Sequence, residues 1–154
     1  MEESVSSLLS LIKDVFPTGE QEINSYSPVV LAYIGDAVYE LVVRSMLVLK
    51  ANEPVQKLHK KATGYVKAAT QSAIILSIME ELTEDEVAIY KRARNSKQHT
   101  TPKNGDIGEY HKATGFEAVI GYLYLLGNEE RIIKLIKMGF NNIFGKEDEE
   151  HIYE

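Results

Sequence analysis

The segment from residue 28 to residue 43 is apolar on nearly every side when it is drawn as a helix. Ser27 and Pro28 mark its start, because serine is a favoured N-cap and proline is well tolerated at the first helical position. Its only charged residues are Asp36 and Glu40. A helix of this kind is expected to be buried on most sides, against other helices or against a second copy of the chain.

The same helical spacing of apolar residues continues through most of the 154-residue chain, and no β-type alternation persists for more than a few residues. Capping signals and breakers divide the pattern into about seven helices, with Gly19 and Gly139 as expected stops and the tail after Gly145 expected to fray. We predict a single all-α domain over residues 1–154. Its helices should span about residues 5–16, 28–50, 54–61, 68–80, 83–96, 106–126 and 128–139.

Charge is unevenly distributed along the chain, whose formal net charge is -6. Acidic residues cluster at residues 80–86 and 147–150, whereas basic residues cluster between residues 91 and 103. An acidic protein with one basic strip can still bind a polyanion on that strip. There is no cysteine, no basic N-terminal signal and no stretch approaching the ~18–20 apolar residues of a membrane helix. These features predict a soluble, cytoplasmic protein.

Two isolated carboxylates require an explanation, because a buried ionised carboxylate is costly unless it is paired, hydrogen-bonded or metal-bound. Asp36 follows Gly35 in the first apolar helix, and Glu117 is the sole charge between residues 114 and 126. Either acid alone could be a core residue paired with Arg44 or capped by the hydroxyl of Tyr33. Two such acids in glycine-containing helices favour a shared cation. With oxygen ligands, no cysteine and no histidine at metal-ligand spacing, Mg²⁺ or Mn²⁺ is favoured over zinc.

Two motifs carry a family resemblance. Residues 34–43, IGDAVYELVV, resemble the signature helix of the ribonuclease III family, and residues 116–125, FEAVIGYLYL, resemble its second catalytic helix. The likeness covers about residues 25–135. Residues 58–61 and the basic segment 91–104 are similar to the corresponding segments of the Mini-ribonuclease III subfamily. Members of this subfamily lack the double-stranded-RNA-binding domain that full-length family members carry after the catalytic domain.

The resemblance implies a Mg²⁺-dependent endoribonuclease that cuts double-stranded RNA, leaves 5′-phosphate ends and matures precursors of 23S ribosomal RNA, with Mn²⁺ as a substitute cation. It implies a two-fold homodimer with Asp36 and Glu117 as catalytic metal ligands. Full-length relatives carry further carboxylates where this chain has Val29, Ala32 and Thr114. Their loss leaves the number of metal ions open.

Several other residues are candidates for the site. Glu40 and, through water, Thr114 are candidate additional metal ligands. Candidate RNA contacts are the basic and polar residues of two segments: Arg92, Arg94, Asn95, Lys97, Thr101, Lys103 and Asn104, with Lys60, Lys61 and Lys67. The alternative reading is a non-catalytic RNA-binding or ribosome-associated protein that retains the fold; the two retained acids favour the enzyme.

Overall fold

The structure, a computed structural model, describes residues 7–96 and 106–152, with side chains up to residue 145. Seven α-helices and two short 3-10 turns account for the regular structure of these residues, among which there is no strand. The all-α prediction is therefore confirmed. The helices are α1 (Leu8–Val15), α2 (Pro28–Lys50), α3 (Val55–Val66), α4 (Ala68–Ser77), α5 (Glu84–Arg94), α6 (Ile107–Leu125) and α7 (Glu129–Ile152).

Local capping explains where the site-bearing helices begin. The Ser27 hydroxyl accepts a hydrogen bond from the Val29 N–H at 3.3 Å, so α2 starts where the Ser-Pro pair predicts. At α6 the Asp106 carboxylate accepts from the Gly108 N–H at 2.7 Å. These side chains satisfy backbone donors that the first helical turn leaves without a partner.

Helix α7 differs from the prediction because it does not stop at Gly139. A Cβ at that position would overlap the side chain of Ile74 in α4, so this glycine serves close packing between two helices. The helical dihedrals break only at Gly145, where φ is 78°. Both glycines look like stop signals in the sequence, but only the second adopts the left-handed conformation that interrupts the helix.

The core is centred on α6, which packs against α2, α4 and α5. Phe116, Val119 and Ile120 of α6 are fully buried, as are Leu31 and Tyr39 of α2. The core therefore holds both motif-bearing helices rigidly against each other. None of the described helices combines the length and the hydropathy that crossing a lipid bilayer requires.

Glycines set the spacing between α2 and α6. A Cβ at Gly35 would overlap the carbonyl oxygen of Glu117, and one at Gly121 would overlap the carbonyl oxygen of Leu31. The two backbones are thus in direct contact, and the helices run antiparallel because rising numbers in α2 meet falling numbers in α6. Gly35 and Gly121 therefore serve the close approach of α2 and α6.

One chain covers only part of α2, and burial of the remainder against a second copy stays a prediction. One face packs on α6 and α3, but the opposite face leaves apolar side chains in solvent. Val29, Val30 and Leu41 are 42–58% exposed, and Tyr33 is 79% exposed. The helices that the structure describes are too few to surround α2, so its open face results from the number of helices rather than from the sequence of α2.

Candidate active site at the crossing of two helices

Asp36 and Glu117 meet where α2 crosses α6. The contact of Gly35 with the backbone of Glu117 places the adjacent Asp36 beside the Glu117 side chain, and the two carboxyl groups are hydrogen-bonded to each other. Asp36 is exposed and Glu117 is half-buried. The structure therefore brings together the two predicted acids, but Asp36 is not buried within one chain as the apolar segment had suggested.

The proximity of Asp36 strongly affects the protonation of Glu117. Burial, the hydrogen bond with Asp36 and the negative charges of Asp36 and Glu40 raise the pKa of Glu117 to about 9. Because a like charge nearby disfavours ionisation, Glu117 keeps its proton at neutral pH when no cation is present. A divalent cation between them would replace that proton and remove the repulsion.

Glu40 lies one turn beyond Asp36 but forms an ion pair with Arg44, whose Nη2 is 3.4 Å from Glu40 Oε2. Its negative charge is the smallest of the contributions that raise the pKa of Glu117. Within the side chains that the structure describes, no three His, Asp or Glu residues are grouped closely enough to hold a metal ion together. The arrangement is a pair of carboxylates with a third acid nearby.

Thr114 is buried one turn before Glu117 on α6. Its hydroxyl donates a hydrogen bond to the carbonyl oxygen of Tyr110 at 3.0 Å, which leaves the oxygen able to accept another. The two non-metal explanations considered from the sequence do not apply here. Arg44 pairs with Glu40, and Tyr33 points into solvent.

Tyr39 is a positioning residue that the sequence reasoning did not single out. Its buried ring packs edge-on against Phe116 at 5.2 Å, and its hydroxyl donates to the carbonyl oxygen of Tyr65 at 2.7 Å. Burial, Tyr65 and Glu117 all raise the pKa of the phenol, so it remains protonated and able to donate. Its place one turn after Asp36 was the only sequence signal. Tyr39 thereby ties the carboxylate pair to the end of α3.

The basic end of α5 lies beside the turn of α6 that precedes Glu117. The ring of Tyr90 packs against Gly115, where a Cβ would not fit, and the guanidinium of Arg94 lies over that ring at 5.4 Å. Arg94 Nε also donates to Asn95 Oδ1 at 3.2 Å, and Arg92 is exposed in the last helical turn. Of the three predicted RNA contacts at this end of α5, Arg94 therefore lies beside the helix that carries Glu117, and Arg92 and Asn95 are its neighbours in the chain.

The second predicted basic group is only partly available. Lys61 Nζ is 2.6 Å from Glu53 Oε1, so its charge is largely neutralised within the chain. Lys60 is exposed on α3. Lys67 is exposed two residues after Tyr65, whose carbonyl oxygen accepts the hydrogen bond from Tyr39.

Four predicted RNA contacts, Lys97, Thr101, Lys103 and Asn104, lie outside the described residues. They belong to the segment that joins α5 to α6 and so link two helices of the site. Their contribution to RNA binding stays a prediction of the sequence.

Known proteins resemble this chain over most of its length. A family model described as the Ribonuclease III domain matches residues 29–128. The chain is 47% identical over 123 residues to a Mini-ribonuclease 3 from Clostridium tetani, which covers 79% of this chain and 82% of that protein. It is 42% identical over 132 residues to a Mini-ribonuclease 3 from a Thermoanaerobacter species, covering 86% and 93%. The crystal structure of a Fusobacterium nucleatum protein is similar with a TM-score of 0.71 and 39% identity, covering 77% of this chain and 97% of that one.

Proposed function

The chain belongs to the ribonuclease III family and is an endoribonuclease, and we propose that it cuts double-stranded RNA with Mg²⁺ as its cofactor. The observation that carries the proposal is the carboxylate pair of Asp36 and Glu117, in contact at the crossing of α2 and α6, while the basic helix α5 packs against the same α6. A pair of acids beside a cationic surface suits a reaction on a phosphodiester backbone.

The residues present fit a hard divalent cation. The donors are the carboxylates of Asp36 and Glu117, with Glu40 and the hydroxyl of Thr114 nearby, so all of them are oxygen atoms. Mg²⁺ accepts one or two protein carboxylates and keeps several waters, and Mn²⁺ takes the same kind of ligand. When bound, such a cation lowers the pKa of a coordinated water and stabilises negative charge on the phosphate.

The protein side chains have distinct roles in this proposal. Gly35 and Gly121 let the helices approach until the two acids touch, and Tyr39 holds Phe116, the neighbour of Glu117. Asp36 is exposed and so faces the substrate side, whereas Glu117 is held from behind by the core. We assign Thr114 to accept a hydrogen bond from a water molecule beside the acids.

Duplex RNA would be recognised by its shape and its phosphates, because the wide minor groove presents little sequence information. The proposed contacts are Arg92, Arg94 and Asn95 at the end of α5, with Lys60 on α3 and Lys67 just after it. Products with 5′-phosphate ends, a role in maturing 23S ribosomal RNA precursors and a cytoplasmic location complete the proposal, as the resemblance to the Mini-ribonuclease 3 proteins suggests.

Replacing Arg92 and Arg94 by alanine should weaken binding to a blunt RNA duplex and flatten its salt dependence. Each phosphate contact that is lost should reduce the slope of log K against log salt concentration by about 0.7–0.9. Fluorescence anisotropy in Ca²⁺, over a series of salt concentrations, measures this slope. Lys134→Ala, at an exposed position on α7, is the control and should leave it unchanged. An unchanged slope in the double variant would remove the end of α5 from the interface.

We also propose that the enzyme is a homodimer joined through the open face of α2. Val29, Val30, Tyr33 and Leu41 present a row of apolar side chains that one chain leaves in solvent. A two-fold axis at this face would pair each row with its copy and would align two carboxylate pairs along one duplex.

Purified protein should cleave a duplex RNA in Mg²⁺ and leave it intact when EDTA replaces the cation. The products should carry 5′-phosphates, which a phosphate-dependent exonuclease detects by degrading them. A single-stranded RNA of the same sequence is the control and should survive. Tight binding of the duplex without cleavage would contradict the proposed reaction and would favour a non-catalytic RNA-binding protein.

A further inference from the structure

Helix α1 is an amphipathic helix that has no substantial packing partner among the described helices. Leu8, Leu11, Ile12 and Val15 follow the i, i+3, i+4, i+7 spacing, and they are 37–72% exposed. No residue of α1 is buried, and α1 makes no substantial contact with the other described helices. The Ser7 hydroxyl caps the helix by accepting from the Ser10 N–H at 3.1 Å. The helix is therefore formed and capped, but its apolar face is left in solvent.

An apolar groove of about 490 Å³ runs between α2 and α7. Its α2 wall includes Val38, Leu41 and Leu49, and its α7 wall includes Ile132, Ile133 and Ile136. Leu49 is 85% exposed and Ile133 is 53% exposed, so single-chain packing leaves the groove open. Its charged residues are Glu129 and Lys137.

The dimensions of α1 match those of the groove. From Val38 to Leu49 the α2 wall is about 16 Å long at 1.5 Å per residue, and the eight residues of α1 extend about 12 Å. Amphipathic helices bind in hydrophobic grooves through apolar residues at positions i, i+3, i+4 and i+7, and α1 has apolar residues at this spacing. We propose that α1 of one chain docks in the α2–α7 groove of a second copy, as an arm exchanged between the two protomers.

The open face of α2 favours a second copy over the same chain as the source of the arm, so this inference rests on the proposed dimer. Leu41 belongs both to that open face and to the groove, which makes the two surfaces continuous. In this dimer the two α2 helices would pair antiparallel, with the segment from Tyr33 to Ala37 at the two-fold axis. The start of the partner's α2 would then lie beside residue 42 of the first chain. The partner's α1, which precedes its α2, would therefore reach the groove directly. A chain's own α1 would instead have to fold back along its own α2 to reach the same groove.

Cysteine cross-linking tests the arm directly, because the chain contains no cysteine of its own. One preparation carries Leu11→Cys on α1, and another carries Ile133→Cys on α7; both positions are exposed, so folding should be unaffected. The two preparations are mixed, left to exchange subunits and treated with a short bis-maleimide. We expect a cross-linked pair of chains on a denaturing gel.

Lys13→Cys on the polar face of α1 is the matched control, and mixed with Ile133→Cys it should give little of that product. A cross-link that forms only within a chain carrying both Leu11→Cys and Ile133→Cys would overturn the exchange. Equal cross-linking of Lys13→Cys, or no cross-linking by Leu11→Cys in a protein that sediments as a dimer, would overturn the docking.

A second measurement does not depend on cross-linking. Leu11→Glu with Ile12→Glu should raise the dimer dissociation constant by about tenfold or more, since each buried apolar side chain contributes substantially to association. Ser10→Glu with Lys13→Glu, on the opposite face, is the charge-bearing control. Sedimentation separates this inference from the function. An unchanged dimer dissociation constant in the Leu11→Glu, Ile12→Glu variant would overturn the docking of α1 alone. A wild-type protein that sediments as a monomer would overturn both the dimer and the docking of α1. Cleavage of duplex RNA by the same samples tests the nuclease independently.

Discussion

Replacing Glu117 by glutamine should lower the rate of RNA cleavage about a thousandfold or more, a loss of about 4 kcal/mol of transition-state stabilisation, and yet should make the protein more stable. The loss follows because an amide cannot supply the negative charge that a cation at the Asp36–Glu117 pair requires. The gain follows because the substitution removes a half-buried acid from the neighbourhood of two others.

The sign of the stability change comes from the pKa of Glu117. Its value is raised from 4.5 to about 9 by burial, by the hydrogen bond with Asp36 and by the charges of Asp36 and Glu40. A carboxyl group whose pKa is raised by folding stabilises the folded state when it is protonated. This contribution is complete at pH values below the unfolded-state pKa, and it is lost as the pH rises through the folded-state pKa. Without cation, the wild type should therefore lose stability progressively between about pH 4.5 and pH 9.

Glu117→Gln should not undergo that loss, so at pH 7 in EDTA its free energy of unfolding should exceed that of the wild type by about 1–3 kcal/mol. Thermal unfolding at pH 4 and pH 7 measures the difference, which should disappear at the lower pH. Single-turnover cleavage in Mg²⁺ measures the rate. Glu130→Gln, at an exposed position of α7, is the control and should alter neither. Wild-type cleavage by Glu117→Gln would exclude Glu117 from the active site.

Gly35→Ala should be the most damaging single-methyl substitution in the site. The added Cβ would overlap the carbonyl oxygen of Glu117, and the neighbouring carbonyl carbon and the N–H of Gly121 lie close behind it. These are backbone atoms, which cannot move aside as a flexible side chain can, so α2 and α6 must separate. We expect a loss of about 3 kcal/mol or more in the free energy of unfolding.

Cleavage should also be lost in whatever fraction of Gly35→Ala remains folded, because separated helices no longer bring Asp36 and Glu117 together. Urea unfolding and cleavage at low temperature measure the two effects. Gly64→Ala in α3 is the matched control, since a Cβ there meets nothing within 4 Å. It should be neutral or stabilising by about 0.5–1 kcal/mol, the ordinary advantage of alanine over glycine in a helix. If Gly35→Ala behaved like Gly64→Ala, the direct backbone contact between α2 and α6 would be wrong.

Much of the site could be predicted from the sequence because its signals are local. The acids stand out by their isolation among apolar residues, and the motifs around them indicate the family. The geometry of Glu40 could not be predicted. Whether it joins Asp36 and Glu117 or pairs with Arg44 depends on which rotamer the packed helices leave free. The role of Tyr39 was also missed, because its hydrogen-bond partner Tyr65 lies on another helix and no residue near Tyr39 in the sequence indicates this contact.

By itself the sequence determined the helices, for example the start of α2 at Ser27-Pro28, because caps and helical periodicity act within a few neighbouring residues. The tertiary structure decided which side of each helix is covered. It placed Gly35 against the backbone of Glu117, and it packed the side chain of Ile74 against Gly139, which therefore does not end a helix. It also left Asp36 and the far face of α2 in solvent. Such contacts join residues far apart in the chain, and they follow only from how the seven described helices, each with limited surface, share one core.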